Sequence, residues 1–229
     1  MIVEALRRSP PFHGLADPQL EEVARHGTAR SLRPGEAAFE QGAAADRFFL
    51  VVEGRVKVAM LTPDGKQVLV RLIGAGDFCG LALALARRDY PATCSAVVPS
   101  QLVGWPMCYW STLLETHPVV SLRVTQALGR HIVDVHSRMA ELATEGVERR
   151  VAHALLRLAR EAGRPVEGGL GIDFPVTRQD LAEMTGTTLH SVSRIVSSWS
   201  ARGIVRTGRA RIVIADLGAL ERIGSGDGA

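Results

Sequence analysis

The chain has 229 residues, of which 46% are hydrophobic and 22% are charged, and its formal net charge is +3. This content supports a buried core, and the length lies between one large domain and two small ones. The sequence contains neither the apolar run of roughly 18 residues that a membrane span needs nor the apolar centre of an N-terminal signal peptide. These features exclude a disordered chain and predict a cytoplasmic protein with no membrane partner.

Three cysteines lie far apart along the chain, at Cys79, Cys94 and Cys108. They are odd in number and form no C-x-x-C pair, so the sequence predicts neither a disulfide framework nor a cysteine-only metal or iron–sulfur site. We expect all three to be small core hydrophobes rather than redox sensors.

The charge is unevenly distributed. Residues 1–146 hold 15 basic and 15 acidic side chains, whereas residues 147–229 hold 12 and 9. No Asp or Glu occurs between Glu183 and Asp216, and we call residues 184–215 the acid-free segment. This segment contains the arginines Arg194, Arg202, Arg206, Arg209 and Arg211. A local positive field of this kind indicates a polyanionic partner.

The first part of the chain changes from a short helix to strands. Asp17 is the expected N-cap of the helix, with Pro18 at its first position. From residue 31 to about 110, glycines separate short apolar runs, as is typical of a compact antiparallel β-roll or barrel. In "GRVKVAM", alternation places Val56, Val58 and Met60 on one face, and "TPDG" then turns the chain into the next strand.

Between about His117 and Gly146 the apolar period becomes helical. A 4-3-4-3 spacing is typical of a helix that packs against another helix, and we call these positions the dimer seam. The seam comprises Leu128, Ile132, Val135, Met139 and Leu142. The spacing predicts a homodimer, with packing against the chain's own β-domain as the alternative. The predicted domains are residues 1–117, 118–146 and 147–229.

The third segment has the pattern of a winged helix-turn-helix. An amphipathic helix ends at Gly163, and "GIDFPVT" is predicted as a short strand. Thr177 and Asp180 predict a capping box for a helix that stops at Gly186, and a second helix follows from Leu189 to about Ala201, capped by Thr188. "GIVRTGRARIVIAD" after it predicts a β-hairpin wing.

A recognition helix enters the DNA major groove by its N-terminal end. Thr187, Thr188 and Ser191 are candidates for phosphate contacts beside the free N–H groups of the helix, and His190, Ser193 and Arg194 for base edges, with Arg194 as the guanine reader. We expect four further arginines, Arg178, Arg206, Arg209 and Arg211, to contact phosphates. The alternatives are that Thr188 only caps the helix and that Arg194 forms a salt bridge within its domain.

Four stretches in this order resemble the CRP/FNR family of bacterial transcription factors: "LRPGEAAFEQGAAADRFFLVVEGRVKV", "GDFCG", the helix at 118–146 and "TRQDLAEMTGTTLHSVSRIVSSW". The resemblance implies an α+β fold with an N-terminal cyclic-nucleotide-binding-type β-roll, a long dimerisation helix and a C-terminal winged helix-turn-helix. It also implies a homodimer on a pseudo-palindromic double-stranded DNA site that regulates transcription through RNA polymerase. Where the family commonly has Glu, this chain has His190, so we expect a different half-site.

The effector pocket of the resembled family maps onto Gly80, Leu81, Tyr90 and Pro91. Cyclic-AMP-binding relatives place a Glu after "GDFxG", and here Leu81 stands there. Tyr90 and Pro91 occupy the positions of the Arg-Ser pair that holds the cyclic phosphate. A buried phosphate without its guanidinium costs several kcal/mol, so we expect cyclic AMP not to be the effector, although Arg87 and Arg88 are alternative partners for it.

The sequence alone does not decide which cofactor, if any, the chain binds. The iron–sulfur cluster of the resembled family needs N-terminal cysteines, and none precedes Cys79, so a cluster is not expected. Some relatives that lack both features bind haem and respond to nitric oxide or carbon monoxide, and the recognition helix and apolar cassette resemble the nitric-oxide-responsive, DNR-like branch. The candidate haem ligands are His13, His26, His117 and, more weakly, Cys79. The alternative is a ligand-independent regulator whose pocket is filled by Leu81, Leu83 and Leu85. No enzyme motif occurs, and residues 31–110 lack the histidines of a metal barrel.

Overall fold

A computed structural model describes residues 2–81, 87–208 and 211–226. The chain divides into two compact units, the first ending at Val133 and the second beginning at Asp134. The predicted division into residues 1–117, 118–146 and 147–229 stays a prediction. Among the described residues, no helix is long and apolar enough to cross a membrane.

The helices of the described residues are α1 Ile2–Arg8, α2 Asp17–Arg25, α3 Tyr109–Thr116, α4 Pro118–Thr144, α5 Val147–Ala162, α6 Arg178–Thr185, α7 Leu189–Ala201 and α8 Leu217–Ser225. The strands are β1 Thr28–Leu32, β2 Ala37–Phe39, β3 Arg47–Glu53, β4 Arg55–Leu61, β5 Gln67–Gly74, β6 Phe78–Cys79, β7 Thr93–Ala96, β8 Ser100–Pro106, β9 Gly163–Val166, β10 Gly169–Ile172, β11 Val205–Gly208 and β12 Arg211–Ile214.

The first unit contains the predicted β-roll. Two four-stranded antiparallel sheets have the strand orders β1-β8-β3-β6 and β2-β7-β4-β5. Aromatic rings fill part of the core, where Phe48 stacks on Trp105 at 5.5 Å between ring centroids and meets the edge of Trp110 at 4.9 Å. Such contacts stabilise the core beyond the area that the rings bury.

The pairing of strand β4 with β5 is irregular halfway along its length. The register with β5 shifts between Val58 and Ala59, which is the mark of a β-bulge. The residue that the register skips is Val70 on β5, so β4 itself keeps its alternation and its pairing with β7 is regular. Ala59 is nevertheless buried and Met60 is 37% exposed, so the predicted face of Val56, Val58 and Met60 is not buried along its whole length.

Helix α2 begins one residue earlier than its predicted cap implies. Ala16 is the N-cap, and the Gln19 side-chain oxygen accepts a hydrogen bond from its backbone N–H at 2.9 Å. Asp17 is instead the first helical residue, and its carboxylate accepts from Arg7 at 2.7 Å. The prediction of Asp17 as the cap is wrong: Ala16 takes the cap position with Gln19 as its partner, and Asp17 pairs with Arg7 of α1, a helix that the sequence pattern did not indicate.

The second unit combines helices with one sheet. Seven residues of α5 are buried, and the sheet has the strand order β11-β12-β10-β9. The predicted strand in "GIDFPVT" is only partly correct, since β10 ends at Ile172. Pro175 cannot donate to a strand ladder, so the segment after β10 leads into α6 instead.

Candidate nucleic-acid interface

Helix α6 has the predicted reciprocal cap at its start. The Thr177 hydroxyl oxygen accepts from the Asp180 backbone N–H at 3.0 Å, and the Asp180 carboxylate accepts from the Thr177 N–H at 2.9 Å. The helix ends at Gly186, whose φ of +60° lies in the left-handed region. Because glycine adopts this conformation without a Cβ penalty, it closes α6 and starts the tight turn to α7.

Helix α7 is held at its start and along its inner face. The Thr188 hydroxyl oxygen accepts from the Ser191 N–H at 3.1 Å, which confirms the predicted cap. Val192, Ile195, Val196 and Trp199 are buried. The Trp199 indole N–H donates to the Glu148 carboxylate on α5 at 2.8 Å. The buried face of α7 therefore fixes the orientation of the helix, and with it the side chains that α7 exposes.

The outer face of α7 carries the predicted base-reading side chains. His190 and Arg194 are exposed, whereas Ser193 and Thr187 are half-buried. Among the residues that the structure describes, Arg194 has no ion pair, so the alternative of an internal salt bridge is not observed. Thr188 and Ser191 share the cap, with the Thr188 hydroxyl donating to the Ser191 oxygen at 3.0 Å. Their hydroxyls would therefore have to exchange partners to hold a phosphate.

One exposed side chain at the tip of α7 was missed by the sequence reasoning. Leu189 is the first residue of the helix and 49% exposed. The sequence pattern marks it only as a helix boundary, because apolar residues are normally assigned to the core. The signal that would have found it is its position at the groove-entering end, next to His190.

The wing and its neighbours place arginines around the start of α7. Strands β11 and β12 pair antiparallel from Val205↔Ile214 to Gly208↔Arg211, as predicted for a wing. Arg211, exposed, and Arg178, half-buried, both line a groove of about 370 Å³ that also touches Leu189. Arg209 lies outside the described residues. Two arginines therefore line a groove at the N-terminal end of the recognition helix, α7.

Arg206 has a partner within its own domain. Its guanidinium donates to the backbone carbonyl of Glu167, in the turn between β9 and β10. Gly168 lies directly beneath this guanidinium. Because a guanidinium has five N–H donors, one such bond leaves others for a phosphate. The side chain is exposed but tethered, which the sequence did not indicate.

The predicted effector region in the β-roll is occupied by an aromatic stack. Tyr90 is buried and stacks on Phe39 at 4.0 Å between ring centroids. Its hydroxyl donates to the Arg47 carbonyl at 2.6 Å and accepts from the Arg47 N–H at 3.2 Å, and burial raises the pKa of Tyr90. Both hydrogen bonds of the Tyr90 hydroxyl are therefore made to the protein backbone.

The rest of the predicted pocket lies around this stack. A Cβ on Gly80 would lie 3.1 Å from the Phe39 ring, and its φ of +78° also favours glycine. Leu81 and Pro91 are half-buried. Leu83 and Leu85, the other residues expected to fill the pocket, lie outside the described residues.

The candidate haem ligands do not gather into one site. Within the described part of the chain no three His, Cys, Asp or Glu residues are arranged to hold a metal ion. His117 is buried, its ring nitrogens have no hydrogen-bond partner there, and its Nε2 lies 3.6 Å from a Glu22 oxygen. His26 stacks on Tyr109 at 4.3 Å, and His13 is exposed. Of these, His117 alone offers a buried imidazole without a hydrogen-bond partner in the described residues.

The cysteines are closer together than their sequence spacing indicates. Cys79 and Cys94 are buried, and their sulfur atoms lie 3.9 Å apart. The contact with Cys94 and burial together raise the pKa of Cys79, which keeps it a neutral thiol. The prediction of core positions is confirmed for these two and wrong for Cys108, which is exposed. A protonated, buried thiol is also a poor metal ligand, which weakens Cys79 as a haem ligand.

The fold and the α6–α7 geometry define a class of protein: a regulator that joins a ligand-binding type of β-roll to a DNA-binding winged helix. The family models agree, since a cyclic nucleotide-binding domain matches residues 29–117 and a Crp-like helix-turn-helix domain matches residues 149–223.

Relatives match over almost the whole chain. A cyclic AMP receptor protein of Thermus thermophilus is 27% identical over 96% of this chain and 99% of its own length. The nitrogen fixation regulation protein FixK of Bradyrhizobium diazoefficiens is 26% identical over 96% of this chain and 91% of its own. Among solved structures, a CRP-family transcriptional regulator from Thermus thermophilus superposes with a TM-score of 0.74 at 26% identity, covering 86% of this chain and 96% of that one. The chain belongs to the CRP/FNR family and is a DNA-binding transcription regulator.

Proposed function

We propose that this chain acts as a homodimer that binds a pseudo-palindromic DNA site through two copies of α7 and regulates transcription through contacts with RNA polymerase. The observation that carries the proposal is the outer face of α7, where exposed Arg194 and His190 lie within the acid-free segment. A two-fold dimer presents this face twice, so the DNA site should consist of two similar halves.

The dimer seam supports a second copy of the chain as partner. Three of its residues are more than half exposed: Ile132 at 54%, Met139 at 61% and Leu142 at 51%. Leu128, by contrast, packs against the β-roll core, so the alternative of internal packing applies to the start of the seam. A row of apolar side chains this exposed on one helix is typical of an interface.

We infer that the effector is not cyclic AMP, although one of the relatives carries that ligand in its name. Tyr90 and Pro91 stand where the resembled family has the phosphate-binding pair. Tyr90 is buried and both of its hydroxyl contacts go to the Arg47 backbone. A cyclic phosphate there would have to displace these bonds without gaining a guanidinium from either position.

A haem-dependent sensor for nitric oxide or carbon monoxide is the second candidate, and His117 favours it. Its imidazole is buried, lacks a hydrogen-bond partner among the described residues, and lies directly before the long helix α4. Haem would supply the gas-binding iron, and His117 would be the residue that holds it.

Reconstitution with haem tests this second candidate. We expect a stoichiometric Soret band that shifts with the gas and is lost in His117→Ala, while the exposed His13→Ala keeps it. Haem bound equally by both variants, or only loosely by the wild type, would leave the ligand-independent regulator as the better description.

Salt dependence tests the proposed DNA binding itself. Affinity for DNA should fall steeply between about 50 and 200 mM salt because phosphate contacts release counterions. Arg211→Ala should weaken binding to all DNA sequences alike. It should also reduce the magnitude of the slope of log K against log salt by about one per half-site. Fluorescence anisotropy with labelled duplexes measures both effects.

The matched control for Arg211→Ala is Arg160→Ala, which removes an exposed arginine from α5. It should leave the slope unchanged. Weak, salt-insensitive retention of the wild type on DNA would contradict the proposal and favour a winged helix that binds protein.

A further inference from the structure

Two buried thiols meet between the two sheets of the β-roll. Cys79 lies on β6 and Cys94 on β7, which belong to different sheets, and both residues are part of one core cluster. They are 4% and 0% exposed, and their sulfur atoms lie 3.9 Å apart. Two soft donor atoms are therefore adjacent within an apolar cluster, although 15 positions separate them in the sequence.

The number of donor atoms restricts the kind of ion that could bind there. Among the described residues, no three His, Cys, Asp or Glu side chains are arranged to hold a metal ion. Structural zinc takes four ligands and iron–sulfur clusters take four cysteines, so neither fits a pair of thiols. Monovalent copper is a soft ion that selects sulfur and is stable with two ligands in a line. It is therefore the thiolate-selecting metal for which two donors suffice.

The separation of the two sulfur atoms agrees better with a bridging ion than with a disulfide. A thiolate–metal bond of about 2.3 Å makes a linear sulfur–metal–sulfur unit about 4.6 Å long. The observed 3.9 Å would have to grow by about 0.7 Å to admit the ion. A disulfide of about 2.05 Å would need the sulfur atoms to approach by about 1.9 Å. The ion requires the smaller adjustment.

Binding requires both thiols to lose their protons in a buried place. Contact with Cys94 and burial raise the pKa of Cys79, and the Arg71 guanidinium opposes that rise. Two thiolates and one monovalent cation carry a single net negative charge. Arg71, which also lies 3.3 Å from the Asp77 carboxylate, offsets part of this charge. Only an ion with a high affinity for sulfur can displace both protons, which favours copper(I) and counts against haem iron at Cys79.

We propose that Cys79 and Cys94 form a two-coordinate site for one copper(I) ion, in which both thiolates donate to the ion and two protons are released. Cys79 directly precedes Gly80 and Leu81 of the predicted effector pocket, so the ion would be bound at the edge of that region. This inference goes beyond the proposed function and does not depend on DNA binding.

Transfer of copper(I) from a coloured chelator tests the site. Reduced, full-length protein is titrated under nitrogen into the copper(I) complex of bathocuproine disulfonate, and the loss of colour gives stoichiometry and affinity. We expect one ion per chain for the wild type. Cys79→Ser and Cys94→Ser should each bind at least about a hundredfold more weakly, because losing a ligand costs more than the roughly 10–100-fold typical of an outer partner.

Cys108→Ser is the matched control, because Cys108 is an exposed cysteine. This variant should take copper(I) as the wild type does. The inference is overturned if the wild type takes none from the chelator, if Cys108→Ser abolishes the transfer, or if Cys79→Ser keeps full affinity.

X-ray absorption on the copper(I)-loaded wild type gives a second measurement, which does not depend on the folding of any variant. We expect two sulfur neighbours at about 2.3 Å from the ion. Nitrogen or oxygen neighbours, or a third sulfur, would contradict a site made by these two thiols.

Discussion

Arg194→Ala is expected to weaken binding to the selected DNA site by about 1–3 kcal/mol and to relax base preference at one position of each half-site. The guanidinium is exposed on the outer face of α7, and no described residue forms an ion pair with it. It is therefore available for a bidentate bond to guanine. Competition binding with duplexes that carry each of the four bases at that position measures the effect.

Arg202→Ala provides the comparison on the same helix. Arg202 is exposed at the C-terminal end of α7, away from the end that enters the groove. It should change affinity little and leave base preference intact. If Arg194→Ala weakened binding to every DNA sequence equally, Arg194 would instead be a phosphate contact.

Met139→Glu is expected to convert the dimer to a monomer and to weaken DNA binding by more than about a hundredfold. The side chain is 61% exposed in the single chain, so a carboxylate there should leave the fold intact. In a dimer it would be buried beside its symmetry mate, and each buried charge costs several kcal/mol. Sedimentation velocity in reducing buffer gives the mass, and anisotropy gives the affinity.

Gln126→Glu introduces the same charge on α4 away from the seam. Gln126 is exposed, and its position on the helix lies on the side opposite Met139. The Gln126→Glu variant should remain dimeric. A monomeric Gln126→Glu with a dimeric Met139→Glu would show that the interface uses the opposite side of α4, where Leu122 and Val133 are also exposed.

The helix-turn-helix was predictable because its boundaries follow local rules. Thr177 with Asp180, Gly186 and Thr188 each determine a cap or a turn within four residues of sequence, and all three predictions are confirmed. The heptad spacing likewise indicated a long helix, which the structure contains as α4. Such features need no knowledge of distant residues.

The predictions from the sequence were wrong where the local structure depends on residues distant in the chain. The burial of Ala59 and the exposure of Met60 depend on what packs against each face of β4, so alternation alone could not predict them. Asp17 interacts with Arg7 of α1, a contact across ten residues. Cys79 and Cys94 meet only because β6 and β7 belong to sheets that face each other in one core.

The sequence predicted which residues form the candidate site. It did not predict which of their side chains already have hydrogen-bond partners within the protein. The acid-free segment indicated the candidate interface, and the exposure of Arg194 agrees with the expected role. The tether from Arg206 to Glu167 and the shared cap of Thr188 and Ser191 need coordinates, because a sequence does not show which donors already have partners. Leu189 was missed for a related reason, since exposure of an apolar residue is a tertiary property.

The buried indole on α7 gives the DNA-binding unit its own optical signal. Of the three tryptophans, Trp105 and Trp110 belong to the first unit and Trp199 to the second. Trp199 is fully buried and bonded to Glu148. With phenylalanine at the other two positions, fluorescence emission would report the melting of the second unit alone, so the independence of the two units can be followed in the intact chain.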